Sequence, residues 1–258
     1  VWELAARLSG RGRLFRTHLD CGLTVLLDLG DPMSRYPIVY GGMPEPALAR
    51  AIRAVLAPGD IFLDIGANFG YYALLAATLV GPQGAVHAFE PQPQVAWLLR
   101  RNAMDNHLRQ LTVHQLALSD QAGQVIMYVP VSAQSGLATL RPEARWRSAH
   151  AARLIQVPMA RLDDWARERG LGPVRALKLD AEGYELAILR GATELLDRCR
   201  PVVFFEADDD TADPRPLLAD LGYRLFRLRK GGLAPVGVRE ALGGQQNLCA
   251  LDPGRHDP

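Results

Sequence analysis

The chain has 258 residues, enough for one sizeable α/β domain with an elaboration. Apolar residues make up 48% and charged residues 22%, the balance of a soluble globular protein. A formal net charge of +1 gives no global attraction to nucleic acid or an anionic membrane, so neither is expected as a partner.

Three cysteines, Cys21, Cys199 and Cys249, are too scattered for a disulfide framework or a metal-ligand set. That usage fits a reducing cytoplasm, which is the expected location. The longest apolar stretch, 71–80, is too short to span a bilayer.

In chain order, residues 24–29 and 36–40 read as strands separated by the turn-forming Gly30-Asp31-Pro32. Residues 45–56 show helical spacing at Leu48, Ile52 and Val55 and stop at Pro58-Gly59. Residues 1–44 are too few to bury much core, and are expected to be an N-terminal β/α elaboration. From Asp60 the pattern alternates: strand 61–65, helix 71–80, strand 85–89, helix 94–106, strand 111–116. Near-continuous apolar strands alternating with helices predict a mostly parallel sheet covered on both faces.

The rhythm breaks between 120 and 160, where 124–129 and 154–159 read as two strands that could pair. It resumes with strand 174–180, helix 184–196, strand 202–206 and helix 214–221. Strands 223–228 and 247–251 close the chain in hairpin relation.

Chemistry is concentrated at a few strand ends. Asp64-Ile65-Gly66-Ala67-Asn68-Phe69-Gly70 joins a strand to a helix. Gly66 and Gly70 allow close backbone approach to a ligand, and Asn68 tolerates a positive φ. The helix that follows aims its N-terminus at the loop, which suits a carboxylate. Glu90, 26 residues beyond Asp64, ends the next strand, where a carboxylate can accept hydrogen bonds from both hydroxyls of a ribose. A nicotinamide dinucleotide would need a glycine where Asn68 stands and would meet Asp64 with its phosphates. S-adenosylmethionine carries no phosphate, and its ammonium group favours a nearby acid.

These residues resemble the FkbM methyltransferase family. The resemblance rests on Phe62 through Tyr72, on Ala88-Phe89-Glu90-Pro91-Gln92-Pro93, and on Ala117-Leu118-Ser119-Asp120. Arg161-Leu162-Asp163-Asp164, Lys178-Leu179-Asp180-Ala181-Glu182-Gly183-Tyr184-Glu185 and Pro201-Val202-Val203-Phe204-Phe205-Glu206 complete it. It implies a class I methyltransferase (Rossmann-like) fold over residues 45–258, with a seven-stranded sheet whose last strand is antiparallel. It further implies that Asp64, Gly66, Asn68 and Gly70 hold the methionine part of S-adenosylmethionine, Glu90 the ribose, and Ser119 and Asp120 the adenine side. One departure is Pro44 before Glu45, where the family tends to an aromatic, and Glu45 is left out of the expected site.

Lys178, Asp180 and Glu182 are the expected catalytic group. Strand alternation puts Lys178 and Asp180 on one face, with Asp180 at the carboxyl end, where open α/β sheets bind ligands. Glu182 opens the next helix. Arg141, Arg145, Trp146, Arg147, His150 and Arg153 form a basic stretch that reads as a solvated face, Asp208-Asp209-Asp210 as a polar loop rather than a metal site, and His87 and His114 as structural. The expected activity is O-methylation of a small-molecule or sugar hydroxyl with S-adenosylmethionine and no metal. The alternatives are N-methylation on the same fold and an adenosyl-ligand binder without catalysis.

Overall fold

The computed structural model describes residues 14–40, 45–131, 138–140, 151–209 and 212–255. A hairpin of β1 (Leu14–His18) and β2 (Thr24–Asp28) comes first, followed by a 3-10 turn and the short helix α1 (Tyr36–Tyr40). The strand expected at 36–40 is therefore helical. Arg35 Nε donates to the Leu29 carbonyl at 2.7 Å, closing the preceding turn, and Pro37 falls in the first helical turn, where its missing N–H removes no hydrogen bond.

The alternating units follow: α2 (Pro46–Val55), β3 (Ile61–Ile65), α3 (Tyr71–Val80), β4 (Ala85–Phe89), α4 (Pro93–Asp105) and β5 (Leu111–His114). Proline opens α2 and α4, where the helix needs no N–H. Helix α3 (Tyr-Tyr-Ala-Leu-Leu-Ala-Ala-Thr-Leu-Val) is apolar on nearly every side because it is buried on nearly every side.

Then come β6 (Ala117–Ser119), β7 (Gly123–Pro130), β8 (Ala152–Arg161), α5 (Leu162–Glu168) and β9 (Val174–Leu179). The remainder is α6 (Glu185–Arg190), α7 (Thr193–Cys199), β10 (Val202–Ala207), α8 (Arg215–Asp220), β11 (Arg224–Arg229), β12 (Gly232–Pro235) and β13 (Gln246–Leu251).

Among the described residues the main sheet has eight strands in the order β12-β11-β13-β10-β9-β3-β4-β5. It is mixed, and one strand larger than the seven expected. β5, β4, β3, β9 and β10 run parallel, and β13 is antiparallel to β10 as expected for the last strand. The extra strand arises because the chain reverses at Lys230-Gly231 and lays β12 along β11, giving the outer edge a partner. β6, β8 and β7 make a separate three-stranded sheet, in which β7 and β8 pair antiparallel as the sequence suggested.

The helix expected at 184–196 is two. Gly191 lies so close to the end of β6 that a Cβ there would sit 2.0 Å from the Ser119 carbonyl. Asp163 then restarts the helix from outside: its Oδ2 and Oδ1 accept from Glu194 N at 3.1 Å and Leu195 N at 2.9 Å. This caps the first turn of α7 from a distant part of the chain. The β1–β2 hairpin is held to α4 by two asparagines. Asn102 bonds both backbone groups of Leu26 (2.7 and 3.1 Å) and Asn106 those of Thr24 (3.0 and 2.6 Å). Val25 and Leu27 join the core over α3 and α4.

Candidate active site

The carboxyl ends of β3, β4, β9 and β10 open onto one cleft of about 490 Å³, a volume that suits a cofactor-sized ligand. The turn after β3 enters it first. Gly66 has φ of +73°, and a Cβ there would lie 1.7 Å from the Asp180 carbonyl, so glycine lets the β3 and β9 ends approach. Asn68 holds φ of +51°. At the end of β4, Glu90 faces the cleft; its Oε2 accepts from Asn68 N at 3.0 Å and its Oε1 from Gln92 N at 2.9 Å. Burial pushes the Glu90 carboxyl up to about 7 against those two hydrogen bonds.

Beneath the loop, Lys178 is 3% exposed and held from three sides. Its Nζ lies 3.4 Å from Asp64 Oδ1 and 3.2 Å from Asp180 Oδ2, and donates to the Gly66 carbonyl at 3.3 Å. Burial alone would lower this ammonium's pKa, but Asp180, Asp64 and Glu45 outweigh it and push it up. Burial likewise raises the Asp64 carboxyl, with Lys178 opposing.

Beyond Asp180 the chain turns through Glu182 at φ +50° and Gly183 at φ +89°. Thr139 Oγ1 donates to the Glu182 carbonyl at 3.1 Å, tying that turn to the β7 side. Burial, then the charges of Asp180 and Glu206, push Glu182 up to about 9. Burial and Asp180 push Glu206 up to about 8, with a hydrogen bond from Gln245 opposing. Among the described residues the cleft wall carries five acids, Glu45, Glu90, Asp180, Glu182 and Glu206, against the single cation Lys178. With Glu182 and Glu206 raised toward their neutral forms, the remaining acids still outnumber the one cation, a balance that favours cationic ligands over phosphate.

The sequence carries the match that names this arrangement: the methyltransferase FkbM domain model fits residues 64–225. The chain is also 33% identical over 214 residues to the 31-O-demethyl-FK506 methyltransferase FkbM of Streptomyces tacrolimicus, covering 72% of this chain and 77% of that one. The chain belongs to the FkbM methyltransferase family. It is a methyltransferase. The 2-O-methyltransferase NoeI of Sinorhizobium fredii is 28% identical over 55% of this chain and 61% of its own length. A crystal structure of methyltransferase FkbM from Methylobacillus flagellatus aligns at 16% identity and a TM-score of 0.47, over 78% of this chain and 50% of that one.

The family motifs fall unevenly around the cleft. Gly66, Asn68, Glu90, Lys178, Asp180 and Glu182 line it. Asp64 is fully buried beneath it and reaches it only through Lys178. Gly70 lies behind the loop, where a Cβ would be 1.9 Å from Leu99 Cδ1. Ser119 and Asp120 are off the wall as well; Ser119 Oγ donates to Asp120 Oδ1 at 3.1 Å, while Leu116, Ala117 and Leu118 supply the wall there. His87 and His114 contact each other at 3.2 Å in a cluster with Phe89 and Trp165.

Glu45, Tyr72, Glu206 and Gln245 also line the cleft, and none of them belongs to the expected site. Glu206, like Asp180, is an acid at a parallel strand's carboxyl end, a placement legible in the sequence. Glu45 and Gln245 carried no such signal. The stretch 141–150 and Asp210 lie outside the described residues. Asp209 caps a turn, its oxygens accepting from Leu242 N at 2.9 Å and Gly243 N at 2.8 Å. Among the described residues no helix is long and apolar enough to cross a membrane.

Proposed function

We propose that this family member transfers a methyl group from S-adenosylmethionine to a hydroxyl of a small molecule, natural product or sugar. The observation that carries the cofactor is the charge of the cleft. Even with Glu182 and Glu206 holding their protons, three further acids stand against one lysine, a balance that suits a ligand whose sulfonium and ammonium are positive and which has no phosphate. Glu90 fits a ribose diol, since each carboxylate oxygen has lone-pair capacity beyond the N–H it already accepts. The left-handed turn at Gly66 brings backbone to the same corner. The acceptor class follows the relatives, two of which are named for O-methylation.

When bound, S-adenosylmethionine supplies an electrophilic methyl group. The residues of the chain orient the nucleophile and receive its proton. Glu182 and Glu206 keep their protons at neutral pH, so they offer hydrogen-bond donors to the acceptor. Asp180, paired with the Lys178 ammonium at 3.2 Å, is the carboxylate that accepts the hydroxyl proton.

Calorimetry should show binding of S-adenosylhomocysteine and none of NAD. Glu90→Ala should weaken that binding by about 1–3 kcal/mol, the scale of losing charge-assisted hydrogen bonds. NAD binding in place of S-adenosylhomocysteine removes the cofactor reading, and an unchanged affinity in the variant removes Glu90 from the site; a methylated amine among the products would replace the hydroxyl with nitrogen.

A further inference from the structure

Glu45 precedes α2 and stands between two parts of the chain far from it in sequence. Its Oε2 accepts the Tyr72 hydroxyl at 2.7 Å, and its Oε1 accepts Asn247 Nδ2 of β13 at 2.5 Å. Tyr72, 5% exposed, is the second residue of α3 and presents its ring face to Lys178, with Nζ 5.4 Å from the centroid. The ammonium is thus bounded by Asp64, Asp180, the Gly66 carbonyl and an aromatic face.

A phenol ring near a cation attracts it only while the face stays turned toward it. Within α3 the Tyr71 ring packs edge-on against Tyr72, with centroids 5.1 Å apart. The hydroxyl bond to Glu45 fixes the far end of the Tyr72 ring, and the bond from Asn247 holds Glu45 in place. Glu45 also lies near enough to favour the charged form of Lys178.

We infer that Glu45 is a positioning residue of the cleft, acting through Tyr72 to hold the Lys178 ammonium against Asp180. Its bearing on methyl transfer rests on the reading of Asp180 given above, but the contact itself can be tested without substrate. The chain has only two lysines, Lys178 and Lys230. Protein labelled with ¹⁵N-lysine therefore assigns its ammonium signals with little ambiguity, and a buried, hydrogen-bonded ammonium exchanges its protons slowly with water.

The experiment measures ammonium-proton exchange of Lys178 in wild type, Glu45→Ala, Tyr72→Phe and the double variant. Tyr72→Phe should speed exchange roughly tenfold in the wild-type background, the scale of one hydrogen bond to a charged group. In the Glu45→Ala background the same change should have no further effect, because the bond it removes is already gone. Wild-type exchange in Tyr72→Phe, or an equal acceleration in both backgrounds, overturns the proposal and leaves Glu45 as a brace between α2 and β13. Should Glu45→Ala not fold, Tyr72→Phe against wild type decides alone. Failure to bind S-adenosylhomocysteine would count against the function and leave this result standing.

Discussion

Lys178 is the residue on which the polar contacts beneath the cleft converge. A fully buried ammonium is costly unless paired, and here two carboxylates, a carbonyl and a ring face surround it. Of its two acids, Asp64 is sealed from the cleft and Asp180 is 37% exposed, so only Asp180 can meet a substrate. Asp180→Asn should keep cofactor affinity while turnover on a working acceptor falls by about 10²–10⁴, the range for a positioned base. Turnover within a few-fold of wild type would move the proton acceptor elsewhere in the acid group.

Elements matter where two of them must touch. The ends of β3 and β9 meet at Gly66, where a side chain would strike backbone rather than a movable group. Gly66→Ala should cost about 1–3 kcal/mol from its left-handed conformation, with added cost from parting the strands, and should abolish cofactor binding. Gly70→Ala shares the positive φ but meets the flexible end of Leu99, so its effect on binding should be smaller. Urea denaturation with calorimetry separates the two; equal binding losses would place Gly70 on the cofactor after all. The loop after β10 is the other telling element. Asp209 is occupied with the backbone of Leu242 and Gly243, which suits a turn rather than a metal. Methyl transfer should therefore proceed in chelator, and loss of turnover restored by magnesium would make these acids ligands.

At the scale of the whole molecule, the acid cluster makes stability fall with rising pH. Glu182 and Glu206 stand at about 9 and about 8 in the folded chain, against 4.5 for the ordinary group. The folded state thus binds these protons more tightly, and that contribution is present at low pH and lost as pH rises through the folded values. His87 and His114, lowered by burial, act with the opposite sign only at lower pH, and the raised Lys178 acts above its ordinary 10.5. Between about pH 7 and 9 the urea midpoint should drop, and Glu182→Gln should flatten the drop. A midpoint constant across that window would mean that the two glutamates are not desolvated as described.

Local pattern alone determined the alternating β3-to-β5 region, the β7–β8 pairing and the acids at strand ends, because each depends on a few adjacent residues. The apolar run 61–65, the all-apolar α3 and the loop between them leave one arrangement open to a buried parallel strand and its helix. Only the tertiary structure decided the rest, since the decisive partner is remote. Asp163 caps α7 across 31 residues, splitting what reads as one helix. Glu45 reaches Asn247 across 202 residues, bringing onto the cleft wall a glutamate that the sequence left out of the expected site. Asp64 and Asp180 are both strand-end acids in the sequence. What separates them is that Asp64 lies under Lys178 while Asp180 lies at the rim, a difference of burial that appears only when β3 and β9 are side by side.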